Sequence, residues 1–192
     1  MDLWKSLLEL VLGLLTKKEA VVSIPIGEPK EQPKPEEAKP EEAKPATIDW
    51  TDGTQKVSKY FTVHDMIYLP TWKRMANEAD GLNEEVKANL IELGKKMDTV
   101  REYFDKPINT HVTYRPLEYN KAIGGALHSA HSEGKAMDWD LMGMTCDEVR
   151  DILVKEKLLD TWAMRCEDKP ASNWVHLDYR ELKPDGHRFF IP

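Results

Sequence analysis

Residues 127–141 read LHSAHSEGKAMDWDL. Two side chains of metal-ligating type, His131 and Asp138, stand on either side of Gly134 and the small Ala136. From Ala136 onward the residues alternate. Ala136, Asp138 and Asp140 fall on one face of an extended chain, and Met137, Trp139 and Leu141 on the other. That pattern predicts a strand with its apolar face in the core and Asp138 turned the opposite way. A carboxylate on a strand and a histidine from the loop before it can hold two corners of a zinc tetrahedron.

A second stretch, NWVHLDYR at residues 173–180, supplies a third corner. Trp174, His176 and Asp178 share one face, and Val175, Leu177 and Tyr179 the other. Two strands turning ligands toward one cleft make His131, Asp138 and His176 the candidate metal ligands, with a fourth position open. That is the arrangement of a catalytic rather than a structural zinc site. Imidazole ligands select zinc over magnesium or calcium. Water at the open position of such a site has its pKa lowered to about 7.

Ser129-x-His131-x-x-Gly134-x-Ala136-x-Asp138, followed by Trp174-x-His176, resembles the zinc D-Ala-D-Ala carboxypeptidase family. That family includes bacterial wall carboxypeptidases and phage endolysins and is related to the hedgehog signalling domain. The resemblance continues upstream through Thr113-Tyr114-Arg115-Pro116 and the run from Tyr119 to Gly125, and covers residues 60–180. It implies a zinc metallopeptidase that hydrolyses peptide stems of bacterial peptidoglycan, with phage endolysins and virion-associated lysins as its nearest setting. Such a protein is phage-encoded and acts at the bacterial cell wall, from the host cytoplasm before release or from the virion. A bacterial member would be secreted or periplasmic.

The resemblance also assigns roles. Arg115 contacts the substrate and the charge that develops on the attacked carbonyl, a task suited to a planar guanidinium that is always charged. Tyr114 and Ser129 are further candidate substrate contacts. His128 ranks behind His131 as a ligand because only His131 fits the spacing. One position departs from the pattern. Many members carry Glu or Asp three residues before the last zinc-binding histidine; here it is Asn173, which cannot accept a proton. Asp178 is the first replacement as general base, with Asp140, Glu133 and Glu167 behind it. The other reading of Asp178 is a carboxylate that orients a ligand or Arg180. The alternative function is a non-catalytic zinc-containing binding or structural module of the same fold, which the hedgehog relationship allows.

Around these motifs the chain predicts an α+β domain. A small, mainly antiparallel sheet carries residues 108–114, 135–141 and 173–179. The clearest helix runs over 83–104, with Asn83 as N-cap and Val86, Leu90, Leu93, Met97, Val100 and Phe104 as its buried stripe. Thr145 and Glu148 form a capping-box pattern that opens a second helix over 145–159. Residues 161–166 read as another strand, Pro184-Asp185-Gly186 as a turn, and Phe189-Phe190-Ile191 as a segment packed back on the domain.

The chain has 192 residues, with 27 basic and 34 acidic side chains and a formal charge of −7, which argues against nucleic acid as a partner. Its two cysteines, Cys146 and Cys166, form no CxxC pair and read as free buried thiols. Residues 1–23 begin with an amphipathic helix carrying Leu3, Trp4, Leu7, Leu8, Val11, Leu14 and Leu15 on one stripe, too short to span a membrane. This reads as an anchor for self-association, virion docking or a membrane surface. Residues 24–46 form a linker rich in proline, glutamate and lysine, and extended by its prolines. The peptidase-like domain then occupies 47–192.

Overall fold

Residues 47–182 and 186–191 are described by a computed structural model. The amphipathic stretch, the linker and most of the Pro184-Asp185-Gly186 turn lie outside them. In chain order the elements are α1 (Val63–Ile67), β1 (Tyr68–Leu69), β2 (Arg74–Met75), α2 (Glu84–Phe104) and β3 (Ile108–Val112). Then come α3 (Leu117–Ala122), β4 (Ala136–Leu141), α4 (Cys146–Lys155), α5 (Leu158–Trp162), β5 (Arg165–Glu167), β6 (Val175–Asp178) and β7 (Phe189–Phe190). Single 3-10 turns sit at Glu78–Asp80 and Ala130–Glu133. The fold is α+β.

Helix α2 starts where Asn83 accepts the Val86 N–H at 2.9 Å, with Glu84 and Glu85 in its positive first turn. It ends at Asp105, whose φ of 48° leaves the helical region. Leu90, Leu93, Met97 and Val100 are fully buried along one stripe and share a core with Met137, Trp139, Val175 and Leu177. The helix is therefore held chiefly by apolar burial against the sheet, as most helices in folded proteins are.

The main sheet has the order β3-β4-β6-β5-β7. All its neighbours are antiparallel except β5 and β7, which run parallel. Met137, Trp139 and Leu141 of β4 turn into the core, as alternation requires, and Asp138 turns to the opposite face. The register of β4 on β6 then decides the site: Asp138 lies directly across from His176, and Ala136 from Asp178. Directly opposed residues hold their Cβ atoms about 5 Å apart, close enough for both side chains to reach one point.

Several boundaries differ from the reading of the sequence, among them the strand expected over 173–179, which spans only Val175–Asp178. The strand expected over 108–114 leaves the ladder after Val112, because Tyr114 N–H turns to the Met66 carbonyl at 3.0 Å. The helix expected over 145–159 stops at Lys155, and Lys157, with φ 54°, breaks it from α5. The strand expected over 161–166 begins only at Arg165, because α5 buries Leu158 and Leu159 and extends to Trp162. The capping box of Thr145 and Glu148 is formed. Both cysteines are free and buried.

Candidate metal centre

His131 reaches the site from the 3-10 turn at Ala130–Glu133, which packs against α2. Gly134 closes that turn with φ +72°, and a Cβ there would lie 3.0 Å from the Val86 carbonyl oxygen. Glycine is thus needed both for the angle and for the close approach. Asn89 of α2 donates to the Glu133 carbonyl at 2.8 Å, tying the turn to the helix.

His131, Asp138 and His176 converge as a buried group that could hold a metal ion. His131 Nε2 lies 3.2 Å from Asp138 Oδ1 and 3.1 Å from His176 Nδ1. His176 Nδ1 lies 2.8 Å from Asp138 Oδ1. Donors at about 2.0–2.1 Å from a tetrahedral ion stand about 3.3 Å apart, so this triangle needs little expansion.

The outer ring nitrogens show that the donor set fits a metal. His131 Nδ1 lies 2.7 Å from the Thr113 carbonyl oxygen, which can only accept, so Nδ1 carries the proton and Nε2 keeps its lone pair toward the site. His176 Nε2 faces Asp178 Oδ2 at 3.4 Å, which favours a proton on Nε2 and leaves Nδ1 for the site. A histidine anchored through its far nitrogen is the usual support of a metal ligand.

The charges are closely balanced. Burial pulls His131 below its ordinary range, more than Asp138 raises it. Burial also opposes charge on His176, but the Asp138 and Asp178 carboxylates outweigh it and lift His176 to about 9. Asp138 is pushed up by burial, yet the two histidines hold it well below the usual carboxylate range. Arg115 adds a guanidinium hydrogen bond to Asp138 Oδ2.

A cleft of about 860 Å³ opens over this group. Arg115, Ser129, His131, Asp138 and His176 all line it, as do Glu133, Glu167 and Arg180. Asn173 is not among its lining residues.

Two assignments made from the sequence do not fit. Tyr114 is not a substrate contact: it is 2 % exposed, and its hydroxyl donates to the Asp80 carbonyl at 3.1 Å in the core. The alternation that turns Thr113 and Arg115 one way turns Tyr114 the other. Asp178 does not fit the role of general base. It shares the face of His176, but it is fully buried behind the ring and held by Arg165 at 3.1 Å and Arg180 at 3.0 Å. Burial pushes its carboxyl up, yet His176 and Arg180 hold it at about 2. Such a carboxylate orients its neighbours rather than collecting protons from the cleft.

Of the other carboxylates, Asp140 is engaged outside the cleft by His111 at 2.5 Å and Asn109 at 2.9 Å. Glu133 is paired with Lys135 at 2.9 Å. Glu167 is different. Arg165 pairs across from Asp178 and Cys166 from Leu177, and alternation along β5 returns Glu167 to the Arg165 side of the sheet, the side that carries His176 and Asp178. It is half-buried, lines the cleft, and its carboxylate has no side-chain partner among the described residues. The sequence places Glu167 only in a polar loop; its strand position depends on where α5 ends. Arg165 carries no recognisable motif, and Asn120, although inside the Tyr119–Gly125 run, has no role that the sequence assigns; both emerge with the structure.

The model of the family described as Peptidase M15 matches residues 59–178, more than half of the chain. The match spans Arg115, the Ser129–Asp138 motif, Glu167 and His176. No curated protein and no solved structure matches the chain. The matched segment, with its buried His-Asp-His group inside it, shows that this chain belongs to the peptidase M15 family.

Proposed function

We propose that the protein is a zinc peptidase that hydrolyses peptide bonds in the peptide stems of bacterial peptidoglycan. The observation that carries this reading is the convergence of His131 Nε2, Asp138 Oδ1 and His176 Nδ1 at the floor of an open cleft. Two imidazoles and one carboxylate suit zinc better than magnesium or calcium. Zinc held there acidifies water and polarises a peptide carbonyl.

The chain's own residues complete the chemistry. Glu167 receives the proton of the attacking water as its oxygen bonds to the scissile carbonyl carbon. It returns that proton to the leaving amine nitrogen as the C–N bond breaks. Arg115 faces the cleft and balances negative charge growing on the carbonyl oxygen. Asp178, fixed by Arg165 and Arg180, keeps His176 turned toward the site. Glu167 thus supplies the carboxylate that Asn173 lacks, which weakens the case for a metal-holding module without turnover.

The place of action belongs to the same proposal. A wall-stem peptidase of phage origin, an endolysin or a virion-associated lysin, meets its substrate at the host cell wall. The amphipathic stretch in residues 1–23 would attach it there or to the virion. Turbidity clearing of purified cell walls by the full chain tests the reading. Clearing that stops with chelator and returns with added zinc is expected; wall binding without clearing would favour the non-catalytic module.

A further inference from the structure

Asn120, at 3 % exposure, is among the few buried polar side chains. Its Nδ2 donates to the Ala126 carbonyl at 2.8 Å, and its backbone carbonyl accepts the Gly125 N–H at 2.8 Å. Gly125 presses against it so closely that a Cβ would fall 2.1 Å from Asn120 Oδ1 and 2.7 Å from Cγ. The backbone of Gly125 is not in the left-handed region, so glycine is required there for space rather than for its angle.

A second pin holds the other end of the same loop. Arg180 Nη1 donates to the His128 carbonyl at 3.0 Å while its other nitrogens hold Asp178. The carbonyls of Ala126 and His128 are therefore engaged by side chains of the domain. The N–H groups of Ala126, Leu127, His128 and Ser129 donate to no group among the described residues. Gly125, Ala126, His128 and Ser129 line the same cleft as the His-Asp-His group. A backbone run pinned through the carbonyls of Ala126 and His128, with its amides free, is suited to receive acceptor oxygens, such as those along a peptide chain.

We propose that Asn120 is a positioning residue: packed on Gly125, it holds residues 125–129 as a rail whose free N–H groups receive the carbonyl or carboxylate oxygens of the peptide substrate. The proposal rests on the peptidase reading above and adds to it the wall of the cleft that grips the substrate backbone. Loosening the rail weakens binding of the substrate but leaves the metal ligands and the proton-transferring carboxylate in place.

Steady-state hydrolysis of soluble muropeptides by the full chain tests this, together with metal content for each variant. Asn120→Asp removes the donor to Ala126, and Gly125→Ala drives the Asn120 side chain out. Each is expected to raise KM about tenfold, the loss of one or two hydrogen bonds, with kcat within about twofold and metal content unchanged. Gly125→Ala should add nothing in an Asn120→Ala background, because its clash is with Asn120 itself. Unchanged KM in folded variants, a loss confined to kcat, or additive effects in the double variant would overturn the proposal. So would loss of metal and fold in every variant, which would assign Asn120 to stability alone. A wild-type chain without chelator-sensitive hydrolysis overturns the peptidase reading and this inference together. Wild-type hydrolysis with unaltered variants overturns only the inference.

Discussion

Asp178 stands behind His176: its Oδ2 lies 3.4 Å from Nε2, the ring nitrogen turned away from His131 and Asp138. Arg165 and Arg180 grip the same carboxylate, so it can neither swing into the cleft nor release the ring without breaking both ion pairs and leaving the buried Arg165 unpaired. Asp178→Asn should therefore weaken zinc binding by about 10–100-fold, as loss of a ligand's supporting carboxylate does. With zinc saturating, turnover should fall far less than a lost base would cause. Competition against a chromogenic chelator reads the affinity. An unchanged affinity with turnover abolished would return Asp178 to the role of base.

Glu167 carries the opposite expectation. Glu167→Gln keeps the shape of the side chain and removes its proton-accepting charge. Turnover should fall by two or more orders of magnitude, the usual scale for a general base, with zinc content unaltered. Glu133→Gln, measured in parallel, tests the rival carboxylate. A large loss there with near-normal turnover in Glu167→Gln would move the role to Glu133.

His176 makes zinc uptake depend on pH. Without metal, Asp138 and Asp178 keep its ring protonated up to about pH 9, and Nδ1 is the nitrogen that faces the site. A metal ion must displace that proton. Affinity should rise about tenfold per unit from pH 7 to 9, and at pH 7 binding should release about one proton per ion. Calorimetry in buffers of different ionisation heat measures the release. Zinc binding with no proton release would mean that the ring is already neutral.

Gly134 and Gly124 separate backbone angle from close approach. Both have positive φ, +72° and +75°. A Cβ on Gly134 meets the Val86 carbonyl at 3.0 Å, whereas one on Gly124 meets nothing within 4 Å. Gly124→Ala should cost about 1 kcal/mol from the angle alone. Gly134→Ala should cost about 2–3 kcal/mol, since the clash adds to it and displaces the turn that carries His131. Thermal unfolding of the two variants checks the difference; equal melting temperatures would remove Gly134 from its place as the fitted joint between turn and helix.

Much of this architecture was legible because period-two and period-3.6 patterns survive in the segments that matter. The alternation at 136–141 and 174–179 placed Asp138 and His176 on the face opposite the core, and the stripe from Val86 to Val100 announced α2. What the patterns could not carry was register. Asp178 looked like a base because it shares a face with His176; only pairing with Arg165 shows that its charge is already consumed. Glu167 ranks only among the alternatives to Asp178 in the sequence, because the strand expected over 161–166 stops short of it; α5 runs on to Trp162, Ala163 turns the chain with positive φ, and β5 then covers Arg165–Glu167. Tyr114 was assigned with its motif neighbours, although alternation alone turns it away from Arg115.

The central claim is that His131, Asp138 and His176 together hold one metal ion. Elemental analysis of the purified full chain by mass spectrometry tests it most directly, on the wild type and on the His131→Ala/His176→Ala double variant. The account predicts about one zinc ion per wild-type chain and almost none in the double variant, which loses two of three ligands. Stoichiometric zinc retained by a folded double variant would contradict it.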